Sequence, residues 1–292
     1  MLDCLSRMKP VAFRYFAPGT VDEALDLLAA HGEDGKILAG GQSLVPAMNF
    51  RLARPASLID INRIAALDYV LADGSKLRIG ALARHARFET PIANGALSLL
   101  LPRVARHIGH LPIRSRGTLC GSIAHADPAS EWCLLAATLD AEFIINGRRG
   151  RRMVQPDDFF VTALTTTLEP DELITEIRLP LLNEAWRTGF AEFSRRAGDY
   201  ALAMCAVFLR FEDGRVVEAR IGVGGATDRP LRITAAEAVL TGTDATPDVL
   251  REAENIAAET IDPLEDIHAS AAFRRDLIRA MVGRALDQAF AR

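Results

Sequence analysis

Cysteine is scarce in this chain, with four in 292 residues, at Cys4, Cys120, Cys133 and Cys205. No two of them make a CxxC pair, which excludes a disulfide framework and argues against a cysteine-built zinc site or iron–sulfur cluster. A reducing cytoplasm fits that usage. Basic excess is also missing. A formal net charge of −4 argues against binding nucleic acid or an anionic membrane, which rests on clustered positive charge. No apolar run reaches the roughly 18 residues that suggest a membrane span, and the start lacks the apolar core of a secretory signal. Internal repeats and low-complexity tracts are absent. So are the usual nucleotide fingerprints: Gly222-Val223-Gly224-Gly225 has Thr227 where a third glycine would fall, and no GxxxxGK[ST] loop occurs.

What is present suits a globular protein of about two domains, since 49% of residues are hydrophobic and 25% charged. Its most informative stretch is Ile37-Leu38-Ala39-Gly40-Gly41-Gln42-Ser43-Leu44, an apolar run ending in two glycines and small polar residues. A second such stretch, Thr118-Leu119-Cys120-Gly121-Ser122, precedes His125-Ala126-Asp127-Pro128. Glycine lets the main chain approach an anion closely and turn successive N–H groups toward it. One such bend is ordinarily a tight turn; two could clasp a single pyrophosphate.

Around these bends the first half reads as alternating helix and strand. Thr20 and Glu23 form a capping box for a helix that Gly32 ends. Strands are expected at residues 36–39 and 57–61, with a short helix at 45–52 between them. Hairpins are expected at 69–72 with 76–80 across Asp73-Gly74, and at 142–145 with 151–154 across Asn146-Gly147. Residues 131–139 read as helix and 172–179 as a half-buried strand stopped by Pro180. Residues 181–188 show no strand periodicity and mark a boundary. Beyond it a hairpin, 202–211 with 215–223 around Asp213-Gly214, precedes helices beginning near Thr234, Thr246 and Phe273. The first two carry threonine N-caps, and Pro247 opens the second.

Other candidates have plainer readings. His107 and His110 have a helical i, i+3 spacing that could suit a metal, but no acidic ligand accompanies them and no metal is assigned. Arg148, Arg149, Arg151 and Arg152 are most simply a solvated face, or a face for an acidic partner subunit.

Residues 36–46 (Lys36-Ile37-Leu38-Ala39-Gly40-Gly41-Gln42-Ser43-Leu44-Val45-Pro46), Leu52-Ala53-Arg54-Pro55 with Leu58-Ile59-Asp60-Ile61, and Arg116-Gly117-Thr118-Leu119-Cys120-Gly121-Ser122-Ile123-Ala124-His125-Ala126-Asp127-Pro128 resemble the FAD-binding medium subunit of the molybdenum hydroxylases. That family includes xanthine dehydrogenase and aerobic carbon monoxide dehydrogenase. The similarity extends through Phe193-Ser194-Arg195-Arg196-Ala197-Gly198-Asp199-Tyr200-Ala201 and Ile221-Gly222-Val223-Gly224-Gly225-Ala226. It implies an α+β protein: a two-lobed FAD-binding fold of the vanillyl-alcohol-oxidase (PCMH) type, followed by a small α+β C-terminal domain. The implied division is an extension at 1–7, an FAD-binding domain at 8–182 with lobes of about 8–61 and 62–182, and a C-terminal domain at 187–292.

By the same resemblance, Leu38, Ala39, Gly40, Gly41, Gln42, Ser43 and Leu44, with Thr118, Cys120, Gly121 and Ser122, surround the FAD pyrophosphate. Ile108, Asp127 and Glu131 match positions lining the flavin cleft, and Leu173 an apolar wall. The hydroxyls of Ser43, Thr118 and Ser122 can donate to phosphate oxygens, and a carboxylate at Asp127 or Glu131 can accept from ribose or ribityl hydroxyls. Cys120 replaces a glycine and reads as packing. Ser194 stands where some relatives carry lysine, leaving Arg195 or Arg196 as possible sources of positive charge. Tyr200 either gates access to the flavin or packs at a strand start.

The implied function is electron transfer, from the [2Fe–2S] clusters of a small subunit to an acceptor such as NAD, a quinone or O₂. The implied assembly is a heterotrimer with a large molybdopterin-binding subunit, dimerised. The alternatives are a self-contained flavin reductase of the same fold, a flavin-free scaffolding subunit, or a module binding another nucleotide.

Overall fold

The computed structural model describes residues 9–291, so the extension expected at 1–7 and Cys4 lie outside the described residues. The chain opens with β1 (Arg14–Phe16), α1 (Val21–His31), β2 (Gly35–Leu38), α2 (Leu44–Asn49) and β3 (Ser57–Asp60). The expected cap forms, with the return bond of the capping box shifted one residue, from the Thr20 N-cap to Gly19. Thr20 Oγ1 accepts the Glu23 N–H at 3.2 Å, and the Glu23 carboxylate reaches back to the Gly19 N–H at 2.7 Å. The three strands pair in parallel in the order β1-β3-β2, so the bend after β2 emerges at a strand's C-terminal end.

Next come β4 (Val70–Asp73), β5 (Lys76–Gly80), α3 (Ala96–Ala105), α4 (Leu111–Arg114), α5 (Leu119–His125), α6 (Glu131–Thr138), β6 (Glu142–Gly147), β7 (Gly150–Val154), α7 (Pro156–Phe159), β8 (Phe160–Thr162), β9 (Thr165–Thr166) and β10 (Glu172–Pro180). Five of these strands form an antiparallel sheet in the order β4-β5-β10-β6-β7. Both hairpins differ from the expected turns. Asp73 pairs with Lys76, so Gly74 (φ +59°) and Ser75 make the first turn. Gly147 pairs with Gly150, so Arg148 and Arg149 make the second. Asn146 stays in the ladder because its side-chain oxygen accepts the Thr175 hydroxyl of β10 at 3.1 Å.

The last part contains β11 (Trp186–Phe193), β12 (Ala203–Glu212), β13 (Arg215–Gly224), β14 (Leu231–Arg232), α8 (Thr234–Leu240), α9 (Pro247–Thr260) and α10 (Ala271–Phe290). The four strands form one antiparallel sheet in chain order. Asp213 (φ +49°) and Gly214 (φ +80°) close the β12–β13 hairpin where expected, with the two positive φ values of a type I′ turn. Three helix details differ from expectation. Ile233, not Thr234, caps α8; Thr246 caps α9 without a side-chain bond; and α10 starts at Ala271 behind Ser270, whose hydroxyl accepts the Phe273 N–H at 3.2 Å. Strand β11 begins inside the segment that shows no strand periodicity.

Successive residues of a strand face opposite sides of its sheet. Along β12, Met204, Ala206 and Phe208 therefore enter the core of the first two sheets, while Ala203, Cys205, Val207 and Leu209 face the second core. Helix α10 covers that second side along β11 and β12, while α3 packs on β11 and α6 on β12 and β13. Burial on both faces explains why β12 reads as a continuous apolar run.

Candidate FAD-binding site

The first bend joins β2 to α2. Gly41 has φ +71°, the left-handed region where a side chain is strained. Val45 N–H closes onto Gly41 O at 3.1 Å, and the Gln42 amide donates to Gly40 O at 2.9 Å. Ser43 precedes α2 without capping it, so its exposed hydroxyl is not committed to the helix end.

The second bend is not a free loop but the first turn of α5. Thr118 is its N-cap, 2% exposed, with Oγ1 accepting the Gly121 N–H at 3.1 Å. Its hydroxyl thus shapes the turn. A Cβ on Gly121 would come within 2.6 Å of that oxygen. The Cys120 thiol points inward, 3.8 Å from Ile79 O, and burial pushes it well above the usual thiol range. That leaves the Cys120 main chain, rather than sulfur, facing any ligand.

The two bends touch. A Cβ on Gly40 would lie 2.5 Å from Arg116 O and 2.6 Å from Gly117 Cα, so no side chain fits between them. A polar tie spans the same gap: Asn62 donates to Ala39 O at 2.8 Å, and the Arg84 guanidinium donates both to Asn62 Oδ1 and to Arg116 O. Behind the second bend, His85 N–H bonds Gly117 O at 3.0 Å, and Nδ1 of its ring accepts the Trp132 indole N–H at 2.9 Å. Burial, with the charges of Arg84 and Arg114, lowers the His85 pKa to about 4. A neutral ring whose Nδ1 accepts carries its proton on Nε2. Asn62, Arg84, His85 and Trp132 escaped sequence reasoning, although an Arg-His pair directly after the apolar residues 79–83 was a visible signal.

The other candidates fall into two groups. Asp127, Glu131 and Tyr200 come together: the charges of Asp127 and Glu131, after partial burial, raise the Tyr200 phenol above its ordinary range. Asp127 follows Ala126, which ends α5 at φ +52°, and its carboxylate accepts the Ala129 N–H at 2.9 Å. Glu131 opens α6 and is buried, whereas Tyr200 is 71% exposed, which disfavours the packed-tyrosine reading. Ile108 and Leu173 are apolar and buried in the first core, Leu173 on β10 opposite Asn146. His107 and His110 lie between α3 and α4 rather than on one helix, and no group of three or more metal-ligating side chains exists among the described residues.

Glycine bends set side by side, a half-buried arginine tying them together and carboxylates nearby are the features of a dinucleotide-binding protein outside the usual fingerprints. The residues present fit the phosphates of such a cofactor. Residues 11–182 match the family model described as the FAD binding domain in molybdopterin dehydrogenase, and residues 188–289 match the CO dehydrogenase flavoprotein C-terminal domain. The nicotine 6-hydroxylase medium subunit of Paenarthrobacter nicotinovorans is 40% identical, over 98% of this chain and 100% of its own length. The carbon monoxide dehydrogenase medium chain of Hydrogenophaga pseudoflava is 36% identical, over 98% and 99%. Among solved structures, the carbon monoxide dehydrogenase of that organism lacking the Mo-pyranopterin moiety superposes with a TM-score of 0.93 at 38% identity, covering 97% of this chain and 99% of that one. The chain belongs to the FAD-binding medium subunits of the molybdenum hydroxylases, and FAD is its cofactor.

Proposed function

We propose that the two bends hold the FAD diphosphate jointly and that the cleft of Ile108, Asp127, Glu131, Leu173 and Tyr200 receives the flavin end. The observation that carries this is the close approach of Gly40 to Arg116 and Gly117, which sets the two bends side by side so that one small anionic group could meet both. Main-chain N–H groups of residues 40–44 and 119–122 would bind phosphate oxygens, with Ser43 and Ser122 adding hydroxyls. Arg84 would hold the bends in register and contribute positive charge. Asp127 and Glu131 would accept hydrogen bonds from cofactor hydroxyls, and exposed Tyr200 would cover the entrance. Bound FAD takes electrons singly and delivers them in pairs, which is the chemistry it supplies here.

In this reading the chain is the electron-transfer subunit of a heterotrimer, beside a large molybdopterin-binding subunit and a small [2Fe–2S] subunit. It delivers electrons to NAD, a quinone or O₂. Support comes from relatives named as medium subunits and medium chains. No helix among the described residues is long and apolar enough to cross a membrane. Three buried free thiols, Cys120, Cys133 and Cys205, favour a reducing compartment such as the cytoplasm. The test is flavin absorbance of the purified full chain beside Gly41→Val and Gly121→Val. Wild type should retain FAD and both variants should lose it; stoichiometric FAD in both would refute the assignment of the bends.

A further inference from the structure

Strand β3 ends beside the first bend. Leu38, the last residue of β2, pairs with Asp60, the last of β3, and on the other side Tyr15 of β1 pairs with Leu58. Residues two apart in a strand share a face of the sheet. Tyr15, Leu58 and Asp60 therefore project the same way, and the tyrosine hydroxyl donates to Asp60 Oδ2 at 2.6 Å. The other carboxylate oxygen, Oδ1, accepts the Asn62 main-chain N–H at 2.9 Å, which caps the single turn Ile61–Arg63.

An ordinary cap would stop there. Oδ1 of Asp60 also accepts from Asn62 Nδ2 at 2.6 Å, and the second N–H of that amide goes to Ala39 O at 2.8 Å, in the first bend. The amide oxygen takes the guanidinium of Arg84, which donates in turn to Arg116 O beside the second bend. Every polar group of the Asn62 side chain is thus used, and in one sense only. Turned over, its oxygen would face Ala39 O and a carboxylate, and its NH₂ a guanidinium. Asn62 is exposed, so packing does not hold the amide in place. Asp60 holds it, and Tyr15 holds Asp60.

We propose that Asp60, oriented by Tyr15, is a positioning residue for the FAD diphosphate. It fixes the sense of the Asn62 amide, and that amide sets the spacing of the two bends through Ala39 and Arg84. This rests on the reading of the bends as the diphosphate grip. The charge of a carboxylate only repels a bound diphosphate, so whatever Asp60 adds to the grip comes through its hydrogen bonds.

Titration of the FAD-stripped full chain with FAD, followed by flavin fluorescence, tests this. Asp60→Ala should weaken FAD binding about tenfold. Asp60→Asn should stay near wild type, because its amide oxygen still accepts from Asn62 while its NH₂ donates to a Tyr15 hydroxyl turned acceptor. In an Asn62→Ala background, Asp60→Ala should cost nothing further, since Asp60 acts through that amide. An effect of charge alone would move the alanine and asparagine variants alike, and a general loosening of the fold would persist in the Asn62→Ala background. Either pattern, or unchanged affinity in Asp60→Ala, overturns the assignment. Urea unfolding of each variant shows that the chain titrated is folded. Should Asp60→Ala not fold, Tyr15→Phe, at a residue 55% exposed, runs the same cycle with an expected loss of about threefold. Wild type that binds no FAD sinks the proposed function together with this assignment; wild type that binds it while the Asp60 series is flat sinks the assignment alone.

Discussion

Gly40→Ala adds one methyl group at the contact between the bends. The new carbon would stand 2.5 Å from Arg116 O, 2.6 Å from Gly117 Cα and 3.0 Å from Arg116 C. All three are main-chain atoms, so no flexible side chain can yield. Carbon contacts relax at about 3.5 to 4.0 Å, so the bends must separate by about 1 Å against the tie through Asn62 and Arg84. Overpacking of this kind costs about 1 to 3 kcal/mol. A diphosphate gripped from both sides would also lose alignment with one bend, and a hydrogen bond to a charged group is worth about 1.5 to 3 kcal/mol. FAD affinity should therefore fall about ten- to a hundredfold, at 1.4 kcal/mol per factor of ten. Flavin fluorescence during titration of the apo chain measures the affinity, and urea unfolding the stability. Gly214→Ala is the control: φ is +80° there but the added carbon meets nothing within 4 Å, so stability drops by about 1 to 2 kcal/mol while FAD binding holds. Unchanged affinity in Gly40→Ala would refute a joint grip.

Arg84→Lys should weaken FAD binding nearly as much as Arg84→Met, because one ammonium replaces a planar fork that bonds Asn62 Oδ1 and Arg116 O together; full affinity in the lysine variant would show that charge alone matters. His85 contributes stability that depends on acid. Its pKa is lowered to about 4 in the fold against about 6.5 when unfolded, so its contribution is intact above about 6.5 and is lost as pH falls toward about 4. The loss amounts to about 3 kcal/mol, and urea unfolding across that window should show a shallower slope in His85→Phe than in wild type. Arg274→Ala removes a 3% exposed guanidinium that joins Leu202 O, Gly225 O and Asp266. Chemical unfolding should register about 3 to 5 kcal/mol of destabilisation; a loss below 1 kcal/mol would mean those acceptors find other partners.

Local rules were legible wherever one residue's conformation decides the outcome. Thr20 with Glu23, and Asp213 with Gly214, do in the fold what their chemistry requires. Tertiary context overruled the weaker signals. The Asn146-Gly147 dipeptide reads as a turn, but the hydroxyl of Thr175 holds Asn146 in the ladder and the turn moves to the arginines. Strand β11 shows no clean alternation because α3 and α10 bury it from both sides, and α10 crosses so closely that a Cβ on Gly189 would lie 1.8 Å from Ala285 O. The first glycine bend was readable as a strand delivering its backbone. The second was misread in form: Gly121 has an ordinary φ and lies within a helical turn capped by Thr118. Nothing local announces that Asn62 and Arg84 meet, since they are distant in sequence and joined only by how two sheets pack.

The same packing brings the join between the two parts of the chain beside the proposed site. Met204, Ala206 and Phe208 complete the first core from the C-terminal sheet, while Gly225 N–H bonds Pro128 O at 2.9 Å beside Asp127. Asp127 and Glu131 from one part thus lie near Tyr200 from the other, where the flavin end is proposed to enter. A ligand that binds only the docked arrangement stabilises it by RT ln(1 + [L]/Kd), or about 2.7 kcal/mol at a hundredfold excess over Kd. FAD should therefore protect backbone amides of β11 and β12 from hydrogen exchange as well as those of the glycine bends. Protection confined to residues 39–44 and 118–122 would mean that the cofactor is held by the first part alone and that the C-terminal sheet is only its neighbour.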